Sequence, residues 1–145
     1  MKKFNFTLQK VFEYNTHLQK KEKDTLSEMQ NEYDKLCKKM KSLKEKFNDY
    51  KNQQLEACIE GTCIINLIIF NTYLSGLQTQ MLILKNDMLT AEAKIEKQIQ
   101  ILLSVTKEKT SLEKLREKHL VEYNSVERKH NELFIDEFVA NRASK

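Results

Sequence analysis

No proline occurs anywhere in this 145-residue chain, and glycine occurs only at Gly61 and Gly76. Proline ends a helix by removing an amide donor and crowding the preceding turn, and glycine weakens one through backbone entropy. A sequence almost free of both can stay helical for tens of residues. The apolar residues are spaced to match. Phe4, Leu8, Val11, Leu18 and Leu26 recur at helical intervals, interrupted at Asn15 and Glu22. Then Met29, Tyr33, Leu36, Met40, Leu43, Phe47 and Tyr50 step by alternating fours and threes. Residues so spaced stack along one face of a slightly underwound helix, which is the seam of a coiled coil. A helix of about 50 residues is about 80 Å long, and it does not persist unless something covers its stripe.

The second half supplies the cover. Leu74, Leu77, Met81, Leu84, Met88, Ala91, Ile95, Gln98, Leu102, Val105, Lys109 and Leu112 repeat the same spacing. A slip of one position then leads to Leu115, His119, Tyr123, Val126, His130 and Leu133, a change that alters supercoiling without ending a helix. If the turn centres near Gly61, residues whose numbers sum to about 123 face one another. Met40 then lies near Leu84, and Phe4 near His119. The expected fold is all-α, a long antiparallel two-helix coiled-coil hairpin with a longer second helix. It forms one domain over residues 1–145: helix one at about 4–58, a turn at 59–63, helix two at 64–138 and a flexible tail at 139–145. Residues 121–138 outlast the first helix yet carry Tyr123, Val126, Leu133, Phe134, Ile135 and Phe138. Such residues on a free helix end invite burial against another chain.

The stretch "ACIEGTCIINLIIFNTYLSGLQ", residues 57–78, tests this scheme. Its apolar run "CIINLIIF" is eight residues long, whereas a membrane span needs roughly 20, so no direct membrane insertion is expected. As a strand it would be alone, because nothing else in the chain alternates with period two. Its β-branched residues therefore belong to a helix. Gly61 can take the left-handed conformation that ends helix one, and Thr62 can cap helix two. Ile64, Ile65, Leu67, Ile68, Ile69 and Phe70 are too many for one seam, so part of helix two needs cover from something other than helix one. Gly76, inside a periodic helix, admits a close neighbour, permits slight bending or is a neutral surface position.

Composition narrows the chemistry. Charged residues make up 32% of the chain and apolar ones 40%, with a mean hydropathy of -0.63, which leaves little material for a globular core. The 25 basic and 21 acidic side chains are intermixed, for a net charge of +4. The clusters "QKKEK" and "CKKMKSLKEK" read as solvated helix faces, and no nucleic acid is expected. Cys37, Cys58 and Cys63 follow no secretory segment and suit a reduced, cytoplasmic protein, with Cys58 and Cys63 expected as small packing groups. With His17, His119 and His130 they make no zinc spacing. No glycine-rich phosphate motif is present, and a helical pair offers no water-excluding pocket, so neither catalysis nor a cofactor is expected.

Several segments in order carry a family resemblance: "FNFTLQKVFEY" at residues 4–14, the mid-chain Gly61, "NTYLSGLQTQM" at 71–81, and "KEKTSLEKLREKHLVEYNSVERKHNELFIDEF" at 107–138. Together they resemble the flagellar FliJ family, small soluble components of the flagellar type III export apparatus. The chain differs at Thr7 and Asn15, where the family often has Arg, and at His130 in the closing Glu-rich stretch. The resemblance implies an antiparallel coiled coil similar to the γ subunit of rotary ATPases. It implies a non-catalytic stalk whose helix ends enter a hexameric flagellar export ATPase, promote its ring assembly and couple it to the export gate. Carried over by position, Phe6, Leu8, Gln9, Leu112, Leu115, Arg116, Tyr123, Arg128, Asp136 and Glu137 would face the ATPase. Tyr73, Leu77, Gln80 and Leu84 would face the cytoplasmic domain of the gate membrane protein, with Gly61 as the structural turn. Export chaperones are further implied partners, and the implied location is the cytoplasmic face of the inner membrane at the flagellar base. The alternative is a generic cytoplasmic coiled-coil scaffold or self-dimer that tethers protein partners.

Overall fold

In a computed structural model the described residues are 3–144; Met1, Lys2 and Lys145 lie outside them. Two helices, α1 (Gln9–Glu60) and α2 (Ile64–Ala143), run antiparallel as a hairpin. The hairpin divides into two compact units, one built from residues 22–101 and the other from 1–21 with 102–145. No side chain among the described residues is completely buried, as expected where each helix has a single covered face.

The unit of residues 22–101 contains the turn. Gly61 has φ +86°, a conformation that clashes with a Cβ and suits glycine alone. The Cys63 carbonyl accepts the first helical bonds of α2, from the amides of Asn66 (3.1 Å) and Leu67 (3.3 Å). The Thr62 hydroxyl accepts from the Asn66 side-chain amide at 3.2 Å. Thr62 thus meets a side chain and not the backbone N–H expected of a cap, because α2 starts at Ile64 and puts Cys63 in the capping position. Across the helices Gln54 Nε2 donates to Asn71 Oδ1 at 2.7 Å. Tyr50 stacks on Tyr73 with ring centroids 4.0 Å apart, the register expected for these two residues, and meets Phe70 edge-on at 6.3 Å.

Beyond these rings the α2 seam is buried at Leu74, Leu77 and Leu84, each such leucine worth about 1.5–3 kcal/mol. From Met29 to Tyr50 the seam residues of α1 are half-buried, as their spacing requires. The seam also takes in polar groups. Gln98 is buried and donates to the carbonyl of Glu22 at 3.1 Å and to its carboxylate. The Tyr33 hydroxyl donates to Glu92 at 2.6 Å. Cys58 and Cys63 are exposed and not the packing groups expected, because the turn places both outside the seam.

Length and composition bear on the membrane expectation as well. α2 contains an 18-residue window of mean hydropathy 1.3, long and apolar enough to cross a membrane, with 17% of it buried. The eight-residue run understates this stretch, because α2 continues past Phe70 without a charge as far as Leu84. Three of its leucines, Leu74, Leu77 and Leu84, are covered, and α1 alongside carries Lys44, Glu45, Lys46 and Asp49. Spanning as a pair would take those charges into hydrocarbon, at several kcal/mol each.

The unit of residues 1–21 and 102–145 is built differently. Helix α1 begins at Gln9 and not near residue 4. Thr7 and Leu8 form a turn, closed by the Gln9 amide on the Phe6 carbonyl at 3.0 Å. Residues 3–6 before it are non-helical, and their two phenylalanines pack on α2. Phe6 is buried and meets His119 edge-on at 5.7 Å, and Phe4 meets Tyr123 at 5.6 Å. Phe4 therefore lies one turn of α2 beyond its expected neighbour, since non-helical chain advances more per residue than the helical rise of about 1.5 Å. Leu8 and Val11, expected in the stripe, are exposed; Phe12 is half-buried and Asn15, expected to interrupt it, is buried. Val105 is buried opposite, and Gln19 donates to Thr106 at 3.1 Å and accepts from Lys109 at 3.0 Å. Helix α2 continues through Ala143, past the boundary expected at 138. Its end closes with the Ser144 amide on the Ala140 carbonyl.

Candidate functional site

Among the described residues no group of three His, Cys, Asp or Glu converges as a metal site. All three cysteines are free. His17 and His130 are exposed, and His119 is held against Phe6. The Tyr33 phenol is pushed well above its usual range, with donation to Glu92 the main cause and Cys37 adding to it. That shift makes the hydroxyl harder to ionise, which suits a structural bond and not a proton donor. The surfaces of interest are therefore docking faces, one in each unit.

In the unit of residues 1–21 and 102–145 the expected ATPase-facing residues fall into three groups. Phe6 is buried, and Gln9, Leu112, Leu115 and Tyr123 are half-buried, so these support the helix pair. Leu8 and Arg116 are exposed along it. Arg128, Asp136 and Glu137 are exposed where α2 runs without cover, since every described residue from Arg128 onward is exposed. Beside them Leu133, Phe134, Ile135 and Phe138 are each more than half exposed. An apolar stripe of this kind on an isolated helix end loses free energy to water unless a partner covers it.

In the unit of residues 22–101 the four expected gate-facing residues divide by burial. Leu77 (4% exposed) and Leu84 (8% exposed) lie in the seam against α1. Tyr73 and Gln80 remain accessible on the flank, Tyr73 through the edge left free by its stack on Tyr50. Gly61 stands in the link between the helices. Sequence reasoning passed over the polar pairs inside the seam. Lys109 and Gln98, polar members of the second stripe, find partners in Gln19 and in Glu22, the latter an interruption of the first stripe. Their common signal was a polar seam position in α2 with a polar residue of α1 near its complementary register position.

Comparison with protein-family models matches residues 4–145 to a family described as flagellar FliJ protein. No curated protein and no solved structure matches the chain. The match spans both helices and the non-helical segment that packs Phe4 and Phe6 onto α2. On that extent the chain belongs to the flagellar FliJ protein family and has a role in the flagellar export apparatus.

Proposed function

We propose that the chain is a non-catalytic stalk of the flagellar export ATPase complex, inserting its helix ends into the hexameric ATPase ring and coupling that ring to the export gate. The observation that carries this reading is the uncovered end of α2, where Leu133, Phe134, Ile135 and Phe138 are exposed among Arg128, Asp136 and Glu137. A helix with alternating apolar and charged groups on all sides suits insertion into a ring, whose lumen meets every side at once. Phe6, Leu8 and Gln9, with Leu112, Leu115, Arg116 and Tyr123, set and flank the base of that end. At the turn-bearing unit, Tyr73 and Gln80 offer the gate its contacts, while Leu77 and Leu84 hold the helix that presents them. Export chaperones are further partners, and the working location is the cytoplasmic face of the inner membrane at the flagellar base.

The test is ATP hydrolysis by the hexameric export ATPase titrated with this chain. Full-length chain should stimulate hydrolysis and saturate at roughly one chain per hexamer, since an off-axis site would bind one per subunit. A chain stopped after Glu127 should bind poorly and leave the rate at its basal value. Unchanged stimulation by the shortened chain would show that the uncovered end is not the inserted element. Binding near one to one per subunit, without any change in hydrolysis, would favour a tethering scaffold.

A further inference from the structure

The face of α2 that points away from α1 reads the same in both directions. At 100° per residue, the side opposite the Leu74, Leu77 and Leu84 seam presents Ile68, Ile69, Thr72, Ser75, and then Gly76, Thr79, Leu82, Ile83. All eight are exposed. Turned end for end about the point between Ser75 and Gly76, the pattern superimposes on itself. Ile68 exchanges with Ile83, Ile69 with Leu82, Thr72 with Thr79, and Ser75 with Gly76. In a two-fold pair about that point each of these residues meets its counterpart on the other copy, apolar against apolar and small against small, so this part of the face is complementary to itself.

We propose that this face is a self-association surface on which two copies of the chain pair α2 against α2 in antiparallel orientation, crossing at Gly76.

Three features suit the face for a second copy. Its two threonine hydroxyls are already satisfied: Thr72 Oγ1 donates to the Ile68 carbonyl at 2.8 Å, and Thr79 Oγ1 donates to the Ser75 carbonyl at 3.0 Å. Their methyl groups are left for contact, and covering them strands no donor. Gly76 has nothing within 4 Å of the position a Cβ would occupy. It serves no packing purpose inside one chain, and in the pair it admits the facing backbone closely. Thirdly, no Asp, Glu, Lys or Arg occurs from Gly61 to Leu84, so the face does not repel its own copy.

Charge at the ends selects the antiparallel register. It brings the turn of one copy to Leu89 of the other, just short of Lys94 and Lys97 on the same exposed side. That turn carries Glu56 and Glu60, and the last turn of α1 has no basic residue to offset its open carbonyls. Exposed Asp87 offsets part of this attraction, and Lys94 with Lys97 leave the stretch facing the negative turn net positive. A parallel pairing would instead set Lys94 and Lys97 against themselves. The helical overlap from Ile64 to Asp87 is about 36 Å, and burial on the order of 1,200 Å² puts the pair at the lower end of specific interfaces. Tyr73 and Gln80 sit on the α1 flank, outside this contact.

Sedimentation of the full chain across a concentration series, with folding of each variant checked by circular dichroism, tests the proposal. The native chain should dimerise reversibly. Ile69→Glu, at an exposed position counted twice in the pair, should weaken dimerisation by roughly a hundredfold or more. Adding Leu82→Lys to the same chain should restore most of the loss. The carboxylate introduced at position 69 of one copy then meets the ammonium introduced at position 82 of the other, while the two positions lie too far apart along one helix to pair internally. A native chain that stays monomeric throughout would overturn the proposal. So would a dimer indifferent to Ile69→Glu, or a double variant as weak as the single one. Anionic phosphatidylglycerol vesicles provide the remaining arm: Ile69-dependent vesicle binding by a monomeric chain would make this a lipid-facing surface instead.

Discussion

Two stretches of α2 expose comparable amounts of aliphatic and aromatic surface, and they do so in opposite chemical settings. From Ile64 to Ile83 the exposed side is free of charge, interrupted only by small or self-bonded residues, and the helix beneath it is held by α1 through Leu74 and Leu77. From Arg128 to Ala143 the helix has no cover, and its apolar residues are interleaved with Arg128, Lys129, Glu132, Asp136, Glu137 and Arg142. A charge-free face on a supported helix suits one flat apolar partner. A helix end with apolar and charged groups all round suits an enclosure. Exposed apolar area alone does not distinguish them; the arrangement of charge does.

The largest expected effect separates the two stretches by function. Phe134→Glu together with Phe138→Glu should cut stimulation of the export ATPase by more than about tenfold, as loss of central aromatic anchors does elsewhere. Thermal stability should change by less than about 0.5 kcal/mol, because both rings are already in water. Ile68→Ser with Ile69→Ser should leave stimulation intact. Equal losses from both pairs would mean that the partner reads hydrophobicity without regard to its setting. Next in size is the contrast between the two sides of one stretch. Leu77→Ala in the seam should lower unfolding free energy by about 2–4 kcal/mol. Leu82→Ala on the outer side should cost under about 0.5 kcal/mol in dilute solution. Urea unfolding followed by circular dichroism measures both, and similar costs would break the division between a structural and a docking face.

Much of this was legible in the sequence. The alternating steps of three and four from Tyr33 to Tyr50 and from Leu74 to Leu112 announced two paired helices, and each of these α2 positions is buried or half-buried. Gly61 announced the turn because a positive φ leaves few alternatives. The start of the chain was less legible. Phe4, Leu8 and Val11 fit a helical stripe as well as any later triplet, and neither proline nor glycine marks the turn at Thr7 and Leu8. Only tertiary packing of Phe6 on His119 selects the non-helical path. The sites were least legible, since Leu77 and Leu84 satisfy a seam and a docking motif equally well. Burial separates those roles, and spacing does not.

The two glycines sharpen the same contrast by a smaller amount and with opposite signs. Gly61→Ala forces a Cβ into the left-handed region and should lower stability by about 1–2 kcal/mol, despite open space around it. Gly76→Ala lies in regular helix with nothing within 4 Å and should raise monomer stability by about 0.5–1 kcal/mol. Thermal unfolding at low concentration checks both. A loss at Gly76 would mean that its exposed face is not open in the single chain.

The smallest effect concerns the polar bond that ties α1 to α2 beside the apolar seam. The Tyr33 hydroxyl can donate to Glu92 only while it holds its proton, and that bond raises its pKa in the folded chain. A raised folded value means that the bond's contribution is complete below the unfolded phenol value of about 10 and fades as pH rises past it toward the folded value. Tyr33→Phe should therefore lower the melting temperature by a constant, small amount from neutral pH up to about pH 9. The gap between variant and native chain should then narrow steadily above about pH 10. A gap that stays constant through the alkaline range would assign the Tyr33 contribution to ring packing in the seam, and the seam of this unit would then owe its register to its apolar residues alone.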